Sequence, residues 1–297
     1  MKFLIQLLVI TFVIFVSTNC TDEEFAERDY PRLITLQVSD LDETGATFNA
    51  EIYDRGNLEI LNYGFVWSVI SDPRLMDSEK KFHTEEFPSD KYSLRISNAL
   101  RKNTTYYVRG FVQTSEQTVY AQVTEFRSAG SLAPVIFSFS PQSILYGDTL
   151  IIRGENFSSS TSNSVDIGSF RANLVEATDS LLKVTVPYRP LELESTLTVQ
   201  VADQVTTSTD KVSLIPLQLT SISPTQAAAG EVLTLHGNFG ILPFHTDIIF
   251  NGVIAQEVNL SRNSISVKVP SGLVNPVEIV VKIGVQSTQT DAFEILP

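Results

Sequence analysis

One cysteine in 297 residues, Cys20, leaves the chain with no disulfide of its own. Its folded parts must be held by packed cores, which segments of roughly 80–100 residues can build. Positive charge is scarce as well: 21 Lys and Arg stand against 34 Asp and Glu, for a net charge of −13. Residues 20–29, 30–129, 130–216 and 217–297 are each net acidic. No segment offers the basic surface that nucleic acid requires, so nucleic acid is excluded as a partner. Acidity spread this evenly reads as a solubilising surface rather than a steering field. The three histidines, His83, His236 and His245, show no metal-ligand spacing, and no G-x-S-x-G elbow, P-loop or G-x-G-x-x-G occurs. The expectation is therefore no catalytic residue, no metal, no cofactor and no enzyme activity. Glu85-Glu86, and Glu192 with Glu194, read as surface charge rather than as a glycosidase pair. Long apolar runs are missing too, except one at residues 3–16, which is broken by Gln6 and Thr11. It falls short of the ~20 residues that a membrane-crossing helix needs.

That run explains Cys20. Lys2 precedes FLIQLLVITFVIFV, and Ser17-Thr18-Asn19-Cys20 follows it. A cationic start, an apolar segment and small residues at a cleavage point make a secretory signal over 1–19. The Ser-Thr-Asn-Cys ending resembles the cleavage box of bacterial lipoproteins, in the loose form of Bacteroidota. The resemblance implies that Cys20 is lipidated and becomes the first mature residue. The alternatives are an ordinary secretory signal with a chance cysteine, or an uncleaved anchor. Losing Lys2 with the signal takes the net charge from −13 to −14. Residues 20–29 then form an acidic tether, and TDEEFAERD has the composition of a solvated segment. An acidic run directly after the cysteine also resembles the signal for the outer face of the outer membrane. The implied location is the cell outer membrane, lipid-anchored and facing outward, since several acyl chains hold where one is marginal.

Past residue 30 helix periodicity is hard to find, and alternation takes over. Leu182, Val184 and Val186 flank Lys183 and Thr185, and Leu197, Val199 and Val201 flank Thr198 and Gln200. Short runs of Val, Ile and Thr punctuated by Gly, Pro, Asn and Ser are half-buried strands. The fold class is all-β, as tandem immunoglobulin-like sandwiches. An internal repeat marks the modules. Ser140-Pro141, Gly147 and Val184-Thr185-Val186-Pro187 recur 83 residues on as Ser223-Pro224, Gly230 and Val267-Lys268-Val269-Pro270. Gly154-Glu155-Asn156-Phe157 returns one residue shorter as Gly237-Asn238-Phe239. The prolines suit edge strands, where no ladder bond is lost. Gly147 and Gly230 suit chain reversals. Phe157 and Phe239 should follow a glycine bend and plug the end of each core.

This order of landmarks looks like the IPT/TIG domain, an immunoglobulin-like sandwich, over residues 133–216 and 217–297. Residues 30–129 differ. Leu100 lies six residues before Tyr106, which resembles the tyrosine corner of fibronectin type III domains, and Trp67 lies in a candidate strand. Trp67 is read as a core residue in preference to a sugar platform.

By resemblance, such chains accompany outer-membrane glycan-uptake systems, where TIG-type modules act as spacers. The implied partners are the membrane through the N-terminal lipid, and a polysaccharide or the outer-membrane transporter proteins. The rival function is an adhesin or assembly scaffold that binds another protein through a loop end or strand edge. The two TIG copies nominate a binding surface. After the shared Asn-Phe, the first copy continues with the polar Ser158–Asn163, and the second with Gly240-Ile241-Leu242-Pro243-Phe244-His245. A shared fold does not require apolar residues there, so Ile241, Leu242, Phe244 and His245 are candidate binding residues. The alternative is that they fold over the core or pack on the neighbouring module.

Overall fold

The computed structural model describes residues 29–297 other than 89, 160, 161, 241, 243 and 244. The signal, Cys20 and most of the acidic tether lie outside the described residues. Strands and turns make up the described chain, without a helix.

In the N-terminal sandwich, Gly45–Asp54 pairs with Arg32–Thr35, Ser39–Asp42 and Lys91–Ile96 in one sheet. The facing sheet runs from the edge strand Glu79–Phe82 through Ile60–Ser68 to Thr105–Thr114, which also pairs with Thr118–Tyr120 and Thr124–Arg127. The core is aromatic. Phe48 meets Phe65, Trp67 and Phe126 edge-on, at ring-centroid distances of 5.8, 5.4 and 5.3 Å. This geometry adds to the burial energy of the rings. The Tyr106 hydroxyl accepts from the Arg101 N–H at 3.0 Å and donates to the Ala99 carbonyl at 3.4 Å. It thereby ties the strand to the chain that precedes it.

The two repeats fold alike. In the first, Val135–Ser140, Thr149–Glu155, Leu181–Thr185 and Asn173–Ala177 form one sheet in that order. The second repeats it with Gln218–Ser223, Val232–Asn238, Ser264–Lys268 and Gln256–Leu260. Each facing sheet has five strands and includes a short parallel pair, Ser143–Ile144 on Gln204–Leu214 and Gln226–Ala227 on Gln286–Ile295. Inward residues alternate as the sequence pattern requires: Leu150 lies opposite Val184 and Ile152 opposite Leu182, all fully buried. Gly147 and Gly230 reverse the chain with φ of 79° and 87°.

Two sequence readings need refining. Pro141 and Pro224 lie just past the end of their edge strands rather than within them. Gly154 and Gly237 are not bends, for they sit within extended strands. A Cβ on Gly154 would stand 1.9 Å from the Val135 carbonyl oxygen and 2.5 Å from the Phe157 ring; on Gly237 it would stand 2.1 Å from the Gln218 oxygen and 2.6 Å from the Phe239 ring. Glycine is needed there because a neighbouring strand and the plugging phenylalanine both press on the backbone. Phe157 and Phe239 are indeed buried, at 0% and 2% exposure. The asparagine between them has its own task. Asn156 Nδ2 donates to the Ala133 carbonyl and Asn238 Nδ2 to the Pro216 carbonyl, each at 3.1 Å. Those carbonyls belong to the linkers that enter each module.

Candidate functional site

Of the four candidates in the loop of the second repeat, Ile241 and Phe244 lie outside the described residues, as does Cys20. Leu242 is fully buried, so of the two readings of this loop it follows the one in which the side chain packs inward rather than the exposed one, whereas His245 is exposed. The reason is the preceding module. A Cβ on Gly240 would lie 3.6 Å from Leu145 and Tyr146, and one on Gly284 would lie 2.8 Å from the Tyr146 hydroxyl and 3.1 Å from Leu242 Cδ2. Leu242 thus fills the seam between the two repeats, whose apolar cores run together there. Burial pushes the Tyr146 phenol up. Polar ties flank the seam. Gln286 accepts from the Leu217 N–H at 2.9 Å and donates to the Ile215 carbonyl at 3.2 Å. Arg262 pairs with Asp148, which also accepts from the Leu145 N–H at 2.7 Å.

The same loop of the first repeat docks on the N-terminal sandwich, in polar form. The Ser158 hydroxyl lies 2.7 and 2.6 Å from the two oxygens of the buried Glu79 carboxylate. The Ser159 hydroxyl donates to the Lys80 carbonyl at 2.9 Å, and Asn98 donates to the Phe157 carbonyl. The Lys102 N–H reaches Asp203 Oδ2 at 3.0 Å. Asn163 holds the loop itself, accepting from the Ser158 N–H at 2.7 Å and donating to its carbonyl at 2.6 Å.

This polar joint leaves a cleft of about 380 Å³ between the modules. One wall is the edge strand Glu79–Phe82, with Trp67 and Asn98 beside it; the other is Ala177–Asp179 and Ser159. Gly64 holds the edge strand close, since a Cβ there would meet the Lys81 carbonyl oxygen at 2.1 Å. Trp67 is 2% exposed, packed on Phe48, and its indole N–H has no hydrogen-bond partner among the described residues. Phe82 keeps 41% of its surface exposed while its ring meets the buried Phe111 edge-on at 5.4 Å. Behind the strand, Arg109 lies 4.2 Å from the Tyr120 ring centroid, donates to the Pro73 carbonyl at 2.8 Å and pairs with Asp72 at 3.0 Å. These contacts bind the 69–78 loop to the sheet. Among the described residues, no three of His, Cys, Asp and Glu converge as metal ligands. Sequence reasoning named Trp67 but not the cleft, because the cleft exists only where two modules meet.

The family model of the IPT/TIG domain matches residues 134–214 and 217–295, together more than half of the chain. The chain belongs to the IPT/TIG domain family. No curated protein matches it. Among solved structures it is similar to the plexin A4 extracellular region, at 13% identity and a TM-score of 0.32, covering 91% of this chain and 34% of that one. It is similar to the surface glycan-binding protein PbSGBP-B from Prevotella bryantii, at 18% identity and a TM-score of 0.31, covering 54% of this chain and 42% of that one. It is also similar to the Bacteroides ovatus mixed-linkage glucan utilization locus SGBP-B, at 16% identity and a TM-score of 0.24, covering 91% and 68%. The chain thus spans about a third of the plexin A4 chain and under half of PbSGBP-B.

Proposed function

We propose that this chain is a non-enzymatic, lipid-anchored protein of the cell surface, serving as a spacer or binding component of an outer-membrane glycan-uptake system. The observation that carries the reading is the pair of IPT/TIG modules joined by a buried seam behind a third sandwich. Such a train sets a defined distance between an N-terminal anchor and whatever the far modules meet. The signal, Cys20 and the acidic tether support the anchor, which lies in the cell outer membrane and faces outward. The neutral, polar joint behind the first sandwich supports contact with an uncharged ligand.

A second reading is favoured by a specific observation: Glu79–Phe82 and Asn173–Ala177 are both sheet edges that face the same joint. Open edges can accept a strand from another protein, which suits an adhesin or assembly scaffold.

The test combines labelling with a lipid precursor, surface proteolysis of intact cells, and recovery of the lipidated protein from native membranes beside a glycan-binding screen. The reading requires lipid on Cys20, protease access from outside and retention of a glycan. Cys20→Ala protein that is processed and membrane-held like the wild type would defeat the anchor. Recovery of a protein partner, with no glycan retained, would favour the scaffold.

A further inference from the structure

We infer that the cleft between the N-terminal sandwich and the first IPT/TIG module is a binding site for a neutral oligosaccharide. The inference rests on the glycan-associated reading above and gives that reading a place in the molecule.

The buried indole N–H of Trp67 is the starting point. A buried donor without a partner loses its bond to water and gains nothing in return, so native structures rarely leave one. Trp67 lines the cleft, and a ligand oxygen that reached the indole from there would satisfy it. The rest of the lining narrows the ligand class. Four charged side chains border the cleft, Glu79, Lys80, Lys81 and Asp179, two of each sign. Lys80 is already turned to the Leu75 carbonyl at 2.7 Å, and Glu79 to Ser158. A charged ligand finds no net field here, whereas a neutral one finds donors and acceptors together. The half-exposed Phe82 ring adds an apolar surface on which the C–H face of a sugar ring can rest. The exposed Asp179 on the other wall and Asn98 beside the edge strand can serve as hydroxyl partners. A ligand with one apolar face and many hydroxyls is a pyranose. The cleft volume lies in the lower part of the range for small-molecule sites, which suits a short segment of a chain.

The chain has a single tryptophan, so its emission comes from Trp67, which borders this cleft. The full chain is titrated with mixed-linkage gluco-heptaose, xylogluco-oligosaccharide, manno-hexaose and xylo-hexaose, by tryptophan fluorescence and by calorimetry. Oligogalacturonate serves as the charged control. The expected result is a shift in Trp67 emission with one of the neutral sugars and none with the acid. Trp67→Phe, which removes the N–H and keeps an aromatic core, should weaken that binding about tenfold by calorimetry, the value of one lost hydrogen bond. Asp179→Ala, at the exposed rim, should weaken it severalfold with an unchanged melting temperature. Should Trp67→Phe fail to fold, the emission shift and the rim variant decide. A neutral sugar that binds without moving the Trp67 emission, and equally well in both variants, overturns the cleft while leaving the glycan reading intact. Binding of none of the sugars overturns both. Emission that responds to an unstructured peptide and to no sugar makes the cleft a strand-docking groove and overturns the inference.

Discussion

Tyr106 and Tyr107 are neighbours with the same side chain and different work. The Tyr106 hydroxyl is buried with two backbone partners, whereas Tyr107 is half-buried on the opposite face of its strand. Tyr106→Phe leaves those partners unmet and should cost about 1–3 kcal/mol in urea denaturation. Tyr107→Phe should cost less, and equal losses would refute the assignment. Gly154 and Gly237 supply a second test. An added methyl must displace a strand carbonyl, so Gly154→Ala and Gly237→Ala should each lose about 3 kcal/mol, at the upper end for overpacking. Gly252→Ala meets nothing within 4 Å and should lose only the smaller cost of its φ of 86°. Residue types at these positions made the repeat readable, since a plug, a close approach and a reversal each admit few side chains. What the sequence did not reveal was which of these constraints applied. Gly154 and Gly237 looked like bends and proved to be contact points, because closeness of a neighbouring strand leaves no mark in local spacing.

The loop after each Asn-Phe makes the same point at the level of elements. Ser158–Asn163 reads as a plain polar loop, yet Ser158 is fully buried against Glu79. The 240–245 loop reads as an exposed apolar cluster, yet Leu242 is fully buried in the seam with Tyr146. The two loops do one job, docking on the module before them, and their composition follows the surface they meet. A sandwich edge presents a carboxylate to the first loop; the other repeat presents Leu145 and Tyr146 to the second. Comparing the copies with each other left packing on the neighbouring module as one of two readings and could not choose between them, because the difference lay in the partner surface. Leu242→Ala should therefore cost about 2–5 kcal/mol in the tandem of residues 133–297, the usual loss for a buried leucine. In residues 217–297 alone it should cost less, since Tyr146 is then absent. Equal costs in the two forms, measured by denaturant melts, would show that Leu242 belongs to its own module's core.

Across the whole molecule, buried phenols are unevenly shared, and this sets how the modules respond to alkali. Tyr63, Tyr92 and Tyr106 all belong to the N-terminal sandwich, and burial raises the pKa of each. The largest rise is at Tyr92, whose hydroxyl donates to the Gly64 carbonyl at 3.2 Å inside the core. In the repeats, Tyr146 at the seam is raised by the same cause. A phenol in the unfolded chain ionises near pH 10. Below that pH both states keep their protons, and the stability linked to these groups is fully present. Above it the unfolded chain releases protons that the folded chain retains, so stability falls as pH rises through the interval between the two pKa values. Three such groups against one should make the N-terminal sandwich the first module to fail. Trp67 lies in that sandwich and is the only tryptophan, so its emission follows that module, while circular dichroism follows all three. Between pH 8 and pH 11 the melting temperature read from Trp67 should drop further than the later transition seen by dichroism. Tyr92→Phe should flatten the drop, because it removes the phenol held furthest from its ordinary pKa. A Trp67 transition that keeps pace with the other modules, or a Tyr92→Phe protein as alkali-sensitive as the wild type, would mean that alkaline failure begins elsewhere, with the Tyr146 seam the first place to look.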